Sequence, residues 1–249
     1  MAFHKLWRAI TSWYRGAAEK PSQANTSRHH TSPITNPEDR KEFAKFMREL
    51  RSKDRNPEIA RKTNYRLDRD IEFSPHAKNI EEALHKHLVQ SSGKVRVLDK
   101  GAGNGNFSAS LRKILGPELG KRLEITTISL TRSIAAENKS AINKERIGVG
   151  INMKHKQKFH VIIDFAGEDF RLSKDYLQTS IKKSILMLEN GGDFFTIITL
   201  GKVKSAGPFT FAELDDFSND LMMQGLIFSS QTGLLSDRAH AVIHFSTPE

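Results

Sequence analysis

The sequence predicts an α/β protein, a seven-stranded doubly wound sheet with a helical N-terminal extension. Three observations predict it. From residue 94 onward, short apolar strands alternate with helices. A glycine-rich turn, Gly101 to Gly105, lies between the first strand and the first helix of that part. Upstream the texture differs: residues 1–93 hold 18 Lys+Arg against 12 Asp+Glu, whereas residues 94–249 hold 21 against 17. The shorter part therefore carries more than half of the net charge of +10, which sets a boundary near residue 93.

The extension divides into three. Within residues 1–20, Phe3, Leu6, Trp7, Ile10, Trp13, Tyr14 and Ala17 recur at helical spacing, with Lys5, Arg8, Ser12 and Arg15 opposite, an amphipathic helix. Residues 21–36 contain one large apolar side chain, Ile34, and read as a flexible linker. Residues 37–93 read as a basic helical region. Asn36-Pro37 is a helix start, followed by the stripe Phe43, Phe46, Met47 and Leu50. Ser74-Pro75 repeats the signal. Ala77, Ile80, Leu84 and Leu88 form the buried side of that helix, which ends at Ser91-Ser92-Gly93. Ten basic residues and four acids lie between residues 40 and 66.

Residues 94–249 then read as the sheet domain. Strands are expected at 95–99, 123–130, 147–151, 159–165, 191–200, 226–231 and 239–246. Helices are expected at 107–115, 132–145, 174–189 and 211–224. The last two strands have no helix between them. Their connection, Thr232 to Arg238, suits a hairpin, so the final strand is expected antiparallel.

Composition excludes several chemistries. With no cysteine, there is no disulfide scaffold, thiolate zinc site, iron–sulfur cluster or thiol nucleophile. No run of about 18 apolar residues exists, so no transmembrane segment is expected. The positive net charge favours an anionic partner. His29-His30 has no ligand pattern around it and reads as part of the linker, not as a metal site.

The segment Val97-Leu98-Asp99-Lys100-Gly101-Ala102-Gly103-Asn104-Gly105 carries the chemistry. A dinucleotide fold wants G-x-G-x-x-G and an acid ending the second strand. Here the third glycine comes one residue early, and the second strand ends Ile128-Ser129-Leu130. A phosphate-binding loop of the G-x-x-x-x-G-K-[ST] type is absent. A generic tight strand–helix turn, or a turn serving another cofactor, stands as the alternative. An acid on the last residue of the first strand, followed by G-x-G-x-G, resembles the first motif of class I S-adenosylmethionine-dependent methyltransferases. The seven strands, the terminal hairpin and the Gly191-Gly192 entry to the fifth strand agree with it.

The resemblance covers residues 75–246 and implies the strand order 3-2-1-4-5-7-6, with strand seven antiparallel. It implies S-adenosylmethionine as cofactor and a residue-by-residue set of roles. Asp99 faces the methionine ammonium. Gly101, Ala102, Gly103 and Gly105 form the loop passing under the cofactor. Ser129 stands where an acid usually holds both ribose hydroxyls; it can still bond one, without the charge-assisted bidentate contact. Asn152 matches the position that bonds the adenine amine, and Met153 packs on the ring. Asp164 and Phe165 match the position facing the transferred methyl. Lys100 departs from the pattern, where an apolar residue is usual, and is read as pointing to solvent; the alternatives are a reach toward the cofactor carboxylate or toward a substrate.

The sulfonium makes the methyl electrophilic, so the protein must align a nucleophile with the C–S bond. If the acceptor is a hydroxyl, a general base helps, and Asp164 is the catalytic candidate by position. The alternative is a strand-end carboxylate that bonds loop amides. Glu168 and Asp169 follow in the same loop and read as solvated acids. The [DN]-P-P-[YF] sequence of base-amino methylation is absent, since the segment reads Asp164-Phe165-Ala166-Gly167. The Lys-Asp-Lys-Glu set of ribose methylation is not visible, and the lack of cysteine excludes methylation through a thiol adduct.

Substrate recognition is therefore expected in the N-terminal part, because enzymes of this family commonly close the site with N-terminal helices. Residues 37–73 are basic and interleaved with Phe43, Phe46, Tyr65 and Phe73, which suits RNA or another polyanion. The alternative is a solvated helix face. Tyr65 and Arg66 are the substrate-binding candidates, placed just before the helix that starts at Ser74. Residues 3–17 suit docking on the domain or on a partner protein, contact with a membrane surface through Trp7 and Trp13, or a targeting segment. The expected location is cytoplasmic, with a peripheral membrane or organellar one as alternatives. The expected function is methyl transfer to an unidentified acceptor, RNA among the possibilities. The competing readings are a small-molecule or protein methyltransferase, and a non-catalytic module that keeps the fold.

Overall fold

The computed structural model describes residues 74–129, 134–147, 157–164, 174–200, 209–235 and 238–249, together with positions 37, 41, 44 and 45. The four isolated positions are helical, within the stretch where Asn36-Pro37 predicts a helix start. The helix predicted over residues 3–17 and the linker lie outside the described residues. No helix among the described residues is long and apolar enough to cross a membrane.

The elements are α1 (Ser74–Gln90), β1 (Val95–Lys100), α2 (Asn106–Ile114), α3 (Gly116–Gly120), β2 (Leu123–Ser129), a 3-10 turn (Ala136–Ala141), β3 (Lys144–Ile147), β4 (Phe159–Asp164), α4 (Lys174–Leu186), β5 (Leu188–Leu200), α5 (Phe211–Met223), β6 (Ile227–Leu235) and β7 (Arg238–Ser246). They form one seven-stranded sheet in the order β3-β2-β1-β4-β5-β7-β6. β1 to β5 run parallel, and β7 is antiparallel to both β5 and β6. This is the order and the antiparallel strand that the resemblance implies.

Layering follows from the twofold alternation of strand side chains. Val95, Val97, Ile125, Val161 and Ile163 enter one layer, closed by Ile80, Leu84 and Leu88 of α1 and Leu111 of α2. Leu98, Ile128 and Ile162 enter the other, closed by Leu177 and Ile181 of α4 and Leu214 and Phe217 of α5. Because both faces are covered, β1, β2 and β4 read as near-continuous apolar runs. The helix that ends the basic N-terminal region is thus part of the core.

A carboxylate ties α1 to the sheet. Asp193 of β5 is almost fully buried. Its Oδ2 accepts from His87 Nε2 at 2.8 Å and pairs with Lys86 Nζ at 3.0 Å; its Oδ1 accepts from His244 Nε2 at 2.8 Å and from Ser246 Oγ at 2.5 Å. Burial by itself pushes the Asp193 carboxyl up, but the bonds from His244, His87, Ser246 and Lys86 together hold it well below the usual carboxylate range.

The structure departs from the sequence-based expectation chiefly between β2 and β3; α3 is an added short helix, and β5 begins at Leu188, three residues early. Where a helix over 132–145 and a strand over 147–151 are expected, the described residues hold a 3-10 turn and then β3 at Lys144–Ile147. Asn143 decides this. Its backbone N–H donates to Ile125 O at 2.9 Å, and its Oδ1 accepts from Ile125 N at 2.8 Å and from Arg112 at 2.7 Å. That clamp starts pairing with β2 three residues early. β3 is an edge strand whose Lys144 and Glu145 are exposed, so no apolar run announces it. Positions 148–151 lie outside the described residues. The terminal hairpin is also tighter than expected: Leu235 pairs with Arg238, leaving only Ser236 and Asp237 between the strands.

Candidate functional site

The carboxyl ends of β1, β2 and β4 lie side by side, where open α/β sheets bind ligands. After Lys100 the chain turns over the end of β2. Gly101 N and Ala102 N both donate to Ile128 O, at 2.9 and 3.3 Å, and Gly105 N closes the turn on Ala102 O at 2.8 Å. Gly101, Gly103 and Gly105 all have left-handed φ, +74°, +53° and +82°. At Gly105 the need is double: besides the backbone, a Cβ there would lie 2.9 Å from Ile142 Cδ1 and 3.3 Å from Asn138 Cβ. Asn104 O accepts from Ala135 N and from Asn138 Nδ2, both at 3.0 Å, so the turn is also fastened to the segment before β3.

On the α1/α2 face of the sheet, Asp99 is 4% exposed. Ser108 Oγ, in the first turn of α2, donates to its Oδ2 at 2.6 Å. Burial pushes the Asp99 carboxyl up to about 7, against the opposing pull of the Ser108 bond. Thr127 is the register partner of Asp99 on β2, and Ser129 lies two residues on, on the same face. The hydroxyls of Thr127 and Ser129 are buried and have no hydrogen-bond partner. A buried hydroxyl without a partner costs about 1–3 kcal/mol, and such a group asks for an explanation. A ligand bound at this strand end would supply one for Ser129. The buried carboxylate suits an ammonium, the orphaned Ser129 hydroxyl suits a ribose hydroxyl, and the glycine-rich turn exposes backbone at the same strand ends. The residues present fit S-adenosylmethionine.

On the opposite face, Lys100 is 3% exposed. Its ammonium lies 2.6 Å from Asp164 Oδ2, and it donates to Ser180 Oγ at 3.0 Å and Ser184 Oγ at 3.2 Å, both on α4. The expectation that Lys100 points to solvent is therefore corrected. A residue that follows Asp99 in a strand covered on both sides must enter the α4 layer. Asp164 is its register partner on β4 and stands on the same face.

Of the predicted site residues, the structure brings Asp99, Gly101, Ala102, Gly103, Gly105 and Ser129 to the ends of β1 and β2, and Asp164 to the end of β4. Asn152, Met153 and Phe165 lie outside the described residues, as do Tyr65, Arg66, Glu168 and Asp169. Sequence reasoning missed Ser108, Thr127 and the two serines around Lys100. Ser180 and Ser184 did leave a signal: they sit four apart, beside Leu177, Ile181 and Ile185, on what reads as the apolar stripe of α4. A lysine elsewhere in the core is what such a polar stripe serves.

The fold is that of the class I S-adenosylmethionine-dependent methyltransferases. A Burkholderia thailandensis 1,6-didemethyltoxoflavin-N1-methyltransferase, solved with 1,6-didemethyltoxoflavin and S-adenosylhomocysteine bound, superposes with a TM-score of 0.57 over 93% of this chain and 100% of its own, at 16% identity. The CurJ carbon methyltransferase gives 0.50 over 68% of this chain and 53% of its own, at 11% identity. No family model and no curated protein sequence matches the chain. At these identities the likeness is one of fold.

Proposed function

We propose that the chain binds S-adenosylmethionine at the ends of β1 and β2 and transfers its methyl group. The observation that carries this reading is the buried Asp99 carboxylate, bonded to Ser108, next to the left-handed glycine turn and beside the orphaned Ser129 hydroxyl. Asp99 accepts from the methionine ammonium. Gly101, Ala102, Gly103 and Gly105 keep side chains out of the cofactor's path. Ser129 bonds one ribose hydroxyl. Asn152 and Met153 take the adenine, and Phe165 faces the methyl group.

The bound cofactor supplies an already electrophilic methyl, so the chain's own work is alignment and exclusion of water. Asp164 enters as a fixed carboxylate at the end of β4. Its engagement with Lys100 argues for a positioning role there and against a free base.

For the acceptor, the basic stretch at 40–66 favours RNA or another polyanion, held by residues 37–73 with Tyr65 and Arg66 as the substrate-binding candidates. The amphipathic stretch 3–17 is the docking element toward a partner or a membrane surface. Calorimetry with S-adenosylhomocysteine tests the cofactor, and transfer of a labelled methyl into fractionated lysate identifies the acceptor class. RNA binding that weakens steeply with salt and vanishes on removal of residues 1–73 supports the RNA reading; labelling of protein or small molecules alone refutes it. A second reading, a non-catalytic module of the same fold, draws on Ser129 in place of the ribose acid and on the captured Asp164. Absence of binding at millimolar cofactor favours that module.

A further inference from the structure

The layer between the sheet and α4 is apolar around Lys100: Leu98, Ile128, Ile162, Leu177 and Ile181 line it. Within it sit a buried ammonium and a buried carboxylate 2.6 Å apart, with two serine hydroxyls at 3.0 and 3.2 Å. Compared with an apolar pair of similar volume, a buried ion pair is often neutral or unfavourable for stability. Core packing therefore gives no reason for it, but its place in the chain does. Lys100 is the last residue of β1, directly before Gly101, and Asp164 is the last residue of β4.

The turn that follows is built around three glycines and closes on itself through the Gly105 N–H bond to Ala102 O. Gly101, Gly103 and Gly105 contribute no side-chain packing, and Gly103 is exposed. Anchors at either end join the turn to the sheet and to the segment before β3. At the far end these are the Asn104 and Asn138 contacts. At the near end they are the backbone bonds to Ile128 O and, one residue earlier, the Lys100 side chain gripped by β4 and α4.

We infer that Lys100 is a positioning residue for the cofactor turn: by bridging the ends of β1 and β4 and the serines of α4, it fixes the strand exit from which Gly101–Gly105 departs. Its effect on ligand affinity rests on the cofactor reading above; its effect on the turn does not.

The test uses the full chain with Lys100→Met and Asp164→Leu combined, which removes both charges at once. The measurements are the thermal midpoint, hydrogen exchange at the amides of Gly101, Ala102 and Gly105 without ligand, and S-adenosylhomocysteine affinity. The expected result is a midpoint equal to or above that of the parent, exchange at the turn at least tenfold faster, and affinity at least tenfold weaker. Unchanged exchange and affinity in the folded double variant overturn the proposal. If the double variant does not fold, Ser180→Ala with Ser184→Ala keeps the ion pair and removes its two serine contacts on α4. That variant is expected to speed exchange at the turn about threefold, and an unchanged rate overturns the proposal. A parent protein that fails to bind S-adenosylhomocysteine removes the cofactor reading, and the exchange rates alone then decide the role of Lys100.

Discussion

Ser108 Oγ donates a hydrogen bond to Asp99 Oδ2 at 2.6 Å, and through it the first turn of α2 reaches back to the end of β1. This contact keeps a buried carboxyl that ionises near pH 7 in a fixed orientation. A cationic ammonium binds the ionised form, so affinity for S-adenosylhomocysteine is expected to fall as the pH drops below about 7. The slope approaches tenfold per pH unit, and proton release on binding should be visible by calorimetry in buffers of different ionisation enthalpy. Ser108→Ala removes the interaction that lowers the carboxyl and shifts this window to higher pH. An affinity flat from pH 5.5 to 8 would refute the assignment.

The same carboxyl has the opposite effect on folding. Burial raises its pKa in the folded state, so stability without ligand is lost as the pH rises from the unfolded value of about 4 toward 7. Asp99→Asn removes that burden. The ligand-free protein should melt several degrees higher at pH 8 while losing most of its cofactor affinity. Equal melting of the two proteins at pH 8 would contradict the burial argument.

Asp193 has the reverse sign. Its carboxyl is held below the usual range, so the stability it contributes is present above about pH 4 and lost as the pH falls below that value. Asp193→Ala leaves His87, Lys86 and His244 without their shared acceptor. It is expected to cost about 3–5 kcal/mol at pH 7, as breaking a buried charge network does. Urea melts at pH 7 and pH 3 read both effects. A variant as stable as the parent at pH 7 would show that α1 is held by its apolar contacts alone.

Gly105→Ala meets two obstacles: a backbone at φ +82° and an Ile142 methyl 2.9 Å from the new carbon. The left-handed backbone alone costs about 1–2 kcal/mol for an alanine. Thermal melts should show that loss, with S-adenosylhomocysteine affinity at least tenfold weaker because the turn must shift.

Ser129→Asp tests the ribose contact from the other direction. It offers two acceptor oxygens where the serine has one hydroxyl, and it buries a charge when no ligand is present. Cofactor affinity is expected to rise about tenfold and the ligand-free melting temperature to fall. Weaker binding would move the ribose away from the end of β2.

What was legible in the sequence was local. The apolar runs of β1, β2, β4 and β5 announce strands buried on both faces. The Asp99-Lys100-Gly101-Ala102-Gly103-Asn104-Gly105 segment announces a turn with left-handed glycines, and the helix-free gap before the final strand announces its direction. β3 was misplaced because an edge strand of Lys144, Glu145, Arg146 and Ile147 needs no apolar pattern; the Asn143 clamp on Ile125 and Arg112, 18 and 31 residues away, starts it. By itself the sequence determined the elements, the glycine turn and the acid in front of it, because backbone sterics and short-range periodicity act within a few residues. Only the tertiary structure decided which polar groups meet: Lys100 with Asp164 and with Ser180, 80 positions on, and Asp193 with His87, 106 positions back. Those meetings depend on how parallel strands fall into register across helical crossovers. That register is set by packing the two apolar layers together, which no local stretch of chain can encode.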